Sequence, residues 1–182
     1  MSLVVTLSGS PAAASRSQEL ATQVGATIAE RGFEVVAINV RDLPAEDLLH
    51  ARADSPALQK ALGLVERARG IVITTPVYKA SYTGVLKTFL DVLPQFGLAR
   101  KMVLPLVTGG TLAHVLTLDY ALRPVLASLG APQVGAGLFI LDKLIERRPA
   151  GGLEISPEIS DRLNQAVADF IATLLRHETP PP

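Results

Sequence analysis

The segment Ser8-Gly9-Ser10-Pro11-Ala12-Ala13-Ala14-Ser15-Arg16-Ser17 gathers hydroxyls, a glycine and one guanidinium just ahead of a stretch with helical periodicity. A loop that opens a helix can aim hydroxyls and backbone N–H groups at an anion. The helix N-terminus adds a partial positive charge there, and Arg16 adds a full one. That chemistry suits a terminal phosphate held by Ser10, Ser15, Arg16 and Ser17. The segment has neither the Lys-Ser/Thr ending of a triphosphate loop nor a Gly-x-Gly-x-x-Gly dinucleotide turn. The simpler reading is that Ser15 N-caps the helix and Ser10-Pro11 forms a turn.

A second segment, Thr74-Thr75-Pro76-Val77-Tyr78-Lys79-Ala80-Ser81-Tyr82-Thr83-Gly84, follows an apolar run. Pro76, Val77, Tyr78 and Lys79 can offer backbone groups to the edge of a planar ring and an apolar wall to its face. The bland alternative is a turn with Thr83 as the next N-cap. A third segment, Thr108-Gly109-Gly110-Thr111-Leu112-Ala113-His114, contains two glycines, which permit close backbone approach and positive φ. Thr108, Gly109, Gly110 and Thr111 could meet the polar end of the same ring. His114 has a suitable pKa range for an acid, but a lone His near a helix start is more often a capping or packing residue.

The elements that must position these segments are legible as short Val/Ile/Leu-rich runs at 3–7, 33–38, 70–75, 102–108 and 134–141. Such runs fit strands buried on both faces. Helical patterns lie between them at 15–31, 56–69, 83–93, 113–129 and 157–175. The alternation predicts βαβ units: a doubly wound α/β fold with a five-stranded parallel sheet and helices on both faces. In such sheets ligands bind beyond the carboxyl ends of the strands, where the strand order reverses. The three segments all leave strand ends on that edge, so they converge on one ligand. Residues 142–156, with Arg147-Arg148-Pro149 and Gly151-Gly152, read as a long loop; residues 1–176 read as one domain, and 177–182 as a frayed Pro-rich tail.

Composition narrows the chemistry. The 182 residues are 48% hydrophobic with a mean hydropathy of +0.34, enough to bury a core. Lys plus Arg equal Asp plus Glu at 17 each, so no bulk charge drives binding to nucleic acid or an anionic membrane. The absence of cysteine excludes thiol catalysis and cysteine-held metal or iron–sulfur centres, and no metal site is expected; electrons would travel on a bound cofactor. Neither a secretory signal nor a spanning helix is legible, which predicts a cytoplasmic protein.

At these residues the sequence resembles the NAD(P)H-dependent FMN reductases of the flavodoxin-like superfamily, in particular the reductases of alkanesulfonate utilisation systems. The likeness runs through Gly9-Ser10-Pro11 with Ser15-Arg16-Ser17, Glu46-Asp47-Leu48-Leu49 and Asp54-Ser55-Pro56-Ala57-Leu58. It continues through Thr75-Pro76-Val77-Tyr78-Lys79, Leu86-Lys87-Thr88, Thr108-Gly109-Gly110-Thr111 and Asp119-Tyr120-Ala121-Leu122-Arg123-Pro124-Val125-Leu126, and loosens after about Asp142. It implies a flavodoxin-like fold, with Ser10, Ser15, Arg16 and Ser17 on the FMN phosphate, Pro76 to Lys79 along the ring, and Thr108 to Thr111 at its polar edge. It further implies NADPH or NADH as hydride donor, a homo-oligomer (dimer or tetramer) with the flavin site near a subunit interface, and a reduced-flavin-dependent monooxygenase as partner.

The resemblance also implies a role for Tyr120. In the alkanesulfonate branch a Tyr here is an inserted residue that gives the fourth helix a π-type turn at the oligomer interface. Pro124 supplies an independent reason, because it lacks the N–H that would bond the Tyr120 carbonyl. The alternative is a plain proline kink. The hypothesis is that Tyr120 gates the site so that FMN leaves as product. Two rivals stand beside this reading: a quinone, azo-dye or metal-ion reductase that keeps FMN bound, and a flavodoxin-like electron carrier with no nicotinamide site. For the nicotinamide 2′-phosphate, Arg147 and Arg148 are candidates by charge and loop position.

Overall fold

A computed structural model describes residues 2–149 and 151–176. Five parallel strand positions lie in the order β2-β1-β3-β5-β6/β7, the flavodoxin-like 2-1-3-4-5 arrangement. The strands are β1 (Leu3–Ser8), β2 (Glu34–Asn39), β3 (Gly70–Tyr78) and β5 (Met102–Gly109), with the last position shared by β6 (Gln133–Val134) and β7 (Leu138–Leu141). The chain reverses direction across the sheet between β1 and β3, whose ends meet in register at Ser8 and Thr74. That divergence is where a crevice must open.

Strand alternation sorts the core into two layers. Val5, Leu7, Ile71, Ile73, Val103 and Val107 point to one face, under α3 (Pro56–Arg67), α4 (Gly84–Asp91) and α5 (Arg123–Ser128). Val4, Val72, Leu104 and Leu106 point to the other, under α1 (Arg16–Ala29) and α6 (Pro157–Arg176). Buried strands of this kind read as continuous apolar runs because both faces need side chains, which is why the sequence shows them plainly. Among the described residues no helix is long and apolar enough to cross a membrane.

The structure departs from the sequence reading in four places. A short helix α2 (Ala45–Leu49) occupies a stretch with too few turns for a periodic signal. The single strand foreseen at 134–141 is broken between β6 and β7 beside Pro105, and the register against β5 gains one residue across the break. Gly137 sits there at φ +68°, and a Cβ on it would lie 2.6 Å from the Pro105 carbonyl oxygen. The carbonyls of Val134, Gly135 and Ala136 accept instead from the Arg123 guanidinium at 3.3, 2.8 and 2.6 Å. A side chain thus replaces the missing ladder.

The helix foreseen at 113–129 is three pieces: a 3-10 turn (Leu112–His114), a π-helical segment (Thr117–Leu122) and α5. Finally, the loop foreseen at 142–156 contains an antiparallel hairpin of β8 (Ile145–Arg147) and β9 (Leu153–Ile155). Ile145 and Leu153 are buried in the α1/α6 layer, so apolar anchors at each arm order what composition alone marks as loop. The tail at 177–182 lies outside the described residues.

Candidate functional site

The loop after β1 runs into α1, and its serines face inward. Ser10, Ser15 and Ser17 are buried. The Ser15 hydroxyl accepts from Gln18 N at 3.3 Å and lies 2.9 Å from the Ser17 hydroxyl; the Ser10 hydroxyl accepts from Ala12 N at 3.3 Å. The helix-cap reading of Ser15 is therefore realised, and the same turn leads into the N-terminus of α1, whose partial positive charge would favour an anion. Arg16 donates Nε to the Ile145 carbonyl at 3.0 Å, which leaves the outer nitrogens of its fork for a ligand. Around this corner Ala14, Arg16, Asp142, Lys143, Glu146 and Arg147 line a hollow of about 480 Å³.

The second segment extends β3 to Tyr78 and turns back through β4 (Ser81–Tyr82). Lys79 and Ala80 form the turn with φ 49° and 63°. Two left-handed residues match the twist of a tight hairpin, but both positions favour Asn or Gly, so this turn holds strain where ligand contact is foreseen. Val77, Tyr78, Lys79 and Ala80 face His114 across an open hollow of about 700 Å³. Tyr78 is half exposed there. Burial holds the Tyr82 hydroxyl above the usual phenol range, with Asp91 reinforcing and Lys87 opposing, so it is uncharged at neutral pH.

The third segment is placed as foreseen, but its glycines act differently. Neither Gly109 nor Gly110 is among the glycines with positive φ. A Cβ on Gly109 would lie 2.8 Å from the Phe139 ring, so that glycine admits a neighbouring side chain rather than a ligand. The Cβ direction of Gly110 is open, with Asp142 Oδ2 the nearest atom at 3.9 Å. Thr108 is buried in register with Pro76, and Thr111 caps the 3-10 turn through Ala113 N at 3.3 Å.

Hydrogen bonds tie the first segment to the second, and the second to the π-helical stretch beyond the third. Gly9 N donates to the Thr74 carbonyl at 2.8 Å, and the Thr83 hydroxyl donates to the Gly9 carbonyl. Thr83 N donates to the Thr75 hydroxyl at 3.3 Å, and the Thr117 hydroxyl, in the π-helical segment, donates to the Ala80 carbonyl at 3.1 Å. The last contact was invisible in the sequence, because nothing local marks Thr117 as a partner of a turn 37 residues away. Tyr120 lies in the π-helical segment, 79% exposed, beside exposed Leu112, Val115 and Leu116. Asp119 and Arg123 pair at 2.7 Å across the junction with α5, whose second residue is Pro124.

The two arginines singled out for a nicotinamide phosphate have protein partners: Arg147 Nε bonds Glu19 at 2.5 Å, and Arg148 lies 3.7 Å from Glu154. A separate hollow of about 580 Å³, between α3 and residues 92–101, shares no lining residue with these loops. The donor set therefore divides into a charged corner of mixed sign beside the start of α1 and an open shelf lined by Val77, Tyr78 and Ala80. A phosphorylated molecule with a planar ring, FMN, fits that set.

Fold and site together define a flavodoxin-like α/β protein of the flavin-binding class. The sequence matches the NADPH-dependent FMN reductase family model over residues 2–145, and the chain belongs to that family. It is 45% identical to an FMN reductase (NADPH) of Pseudomonas putida, across 98% of this chain and 91% of that protein. The corresponding figures for an FMN reductase (NADPH) of Escherichia coli K12 are 42%, 98% and 93%. Among solved structures, the apo form of an NADH:FMN oxidoreductase superposes with a TM-score of 0.88 at 38% identity, covering 100% of this chain and 92% of that one.

Proposed function

We propose that this chain, an NAD(P)H-dependent FMN reductase by family, takes FMN as a substrate and releases FMNH2 to a separate monooxygenase. The observation that carries the reading is the open shelf at the ring end. The hollow between the Val77–Ala80 turn and His114 is open, and Tyr78, which lines it, is half exposed. Bound together, the two nucleotides would supply hydride transfer from nicotinamide to flavin, with no side-chain acid or base required. The protein's part is then positional. Arg16 and the N-terminus of α1 would hold the phosphate, backbone groups of Pro76 to Lys79 and Thr108 to Thr111 the ring edge, and Tyr120 would keep the site open for exchange.

The recipient is inferred to be an alkanesulfonate monooxygenase in the cytoplasm, a reading that rests on the resemblance in sequence. The exposed apolar stripe Leu112, Val115, Leu116 and Tyr120 supports a homo-oligomer that covers this segment. The test is steady-state oxidation of NADPH and NADH by flavin-free protein while FMN is titrated. Rates that saturate with FMN far above enzyme concentration support the substrate reading. Saturation at one FMN per subunit, with turnover only after a quinone or dye is added, replaces it with a bound-flavin reductase. Tyr120→Ala protein should purify yellow, with retained FMN; colourless, fully active variant protein removes the gating role.

A further inference from the structure

The β8–β9 hairpin lies at and beyond the end of the stretch matched by the family model, yet it reaches back to the loop that opens α1. Two bonds cross between them in opposite senses. Arg16 of the helix donates Nε to the Ile145 carbonyl at 3.0 Å, and Arg147 of the hairpin donates Nε to Glu19 Oε1, in the first turn of α1, at 2.5 Å. The hairpin is itself anchored, since Ile145 and Leu153 are buried in the layer that holds Leu20 and Val24 of α1. Ser156 N closes its base on the Leu144 carbonyl at 3.0 Å.

Arginine is a long side chain with wide rotamer freedom, and its value at a phosphate lies in the fixed plane of its fork. Committing Nε to a rigid carbonyl fixes that plane and frees the two outer nitrogens for a bidentate contact. Charge alone does not select a phosphate here. Asp142 and Glu146 line the same hollow as Arg16, Lys143 and Arg147, so two carboxylates offset most of the three cations. Orientation must do what net charge does not.

We propose that the hairpin is a latch that holds Arg16 in its phosphate-binding pose, with Glu19 and Arg147 as positioning residues, and so sets the preference for FMN over unphosphorylated riboflavin. The proposal rests on the reading that residues 8–17 hold the flavin phosphate, and the experiment separates the two. Dissociation constants for FMN and riboflavin are measured by flavin-fluorescence titration of the full chain carrying Arg147→Ala, Arg147→Lys, Arg16→Ala, and both alanines together.

Arg147→Ala should weaken FMN about three- to fivefold, the range of an exposed ion pair, and leave riboflavin unchanged. Arg147→Lys should recover part of the loss. Arg16→Ala should weaken FMN by about ten- to a hundredfold, and adding Arg147→Ala to it should cost nothing more. Unchanged FMN affinity in Arg147→Ala, with the Arg16→Ala loss intact, overturns the latch and leaves the phosphate reading standing. A loss in Arg147→Ala that persists in the double variant also overturns it, making Arg147 a direct ligand. Unchanged FMN affinity in Arg16→Ala overturns the phosphate reading itself. Equal losses for FMN and riboflavin mark a general structural role and overturn the latch.

Discussion

At the β1–α1 loop the polar groups are buried and turned on one another: Ser15 on Ser17 and Gln18 N, Ser10 on Ala12 N, and Gly9 on both Thr74 and Thr83. Across the site, residues 112–122 place Leu112, Leu116 and Tyr120 in solvent and abandon regular α-helical bonding for a π-helical turn. The β1–α1 corner is thus organised within one chain, whereas residues 112–122 leave apolar surface uncovered. On the proposed reading, a rigid grip on the charged tail and an open shelf for the ring suit a ligand that must be oriented and then let go. Affinity carried by a preorganised corner costs less ordering on each cycle of binding.

Substitutions at each end test this contrast. The largest effect is expected at the open end: Leu116→Lys should convert the proposed oligomer to monomers at micromolar concentration, read by sedimentation velocity, because a charge at the centre of an apolar interface is left unpaired. A monomeric wild type would remove the interface. Gly9→Ala tests the closed end. Its Cβ would fall 2.5 Å from the Leu86 Cβ, so urea unfolding should show a loss of about 1–3 kcal/mol. Wild-type stability would show that the loop can shift away from α4.

Ala80→Gly addresses the turn between the two ends. At φ 63° glycine removes the Cβ cost, and a gain of up to about 1 kcal/mol is expected by the same measurement. A loss would mean that the turn is not strained. The smallest effect belongs to Lys101, at the opposite edge of the sheet. Burial first, and Arg100 second, push its ammonium below the ordinary 10.5, with Glu66 opposing, while its Nζ donates to the Glu66 and Ala68 carbonyls at 2.8 and 3.0 Å. Between that lowered value and 10.5 the unfolded chain binds more proton than the folded one, so stability contributed by this group rises with pH across the window. The difference between wild type and Lys101→Met in urea titrations should show that rise; a flat difference removes it.

The sheet was readable because parallel strands buried on two faces leave uninterrupted Val/Ile/Leu runs, and the three site segments because loops at strand ends carry their own Gly, Pro and hydroxyl signals. The failures share a different cause. The break beside Pro105 depends on Gly137 and on an arginine from α5 that donates to the stranded carbonyls, and the 145–155 hairpin depends on two apolar anchors finding α1. Arg147 was marked by its charge, but its actual partner, Glu19, lies 128 residues earlier. The Ile145 carbonyl could not be marked at all, since every residue has one. The π-helical segment was legible only through Pro124 and the family likeness, because its periodicity passes for an ordinary amphipathic helix.

The bond from Arg16 to Ile145 spans 129 residues. At a synthesis rate of about 5–20 residues per second, the carbonyl that holds this guanidinium leaves the ribosome roughly 6–26 seconds after the arginine it serves. The serines that shape the loop are in place long before, in a nascent chain whose β1, β2 and β3 can already pair. A growing chain can therefore own the outline of the proposed site while lacking the carbonyl that fixes the Arg16 guanidinium, which emerges only with the last quarter of the protein.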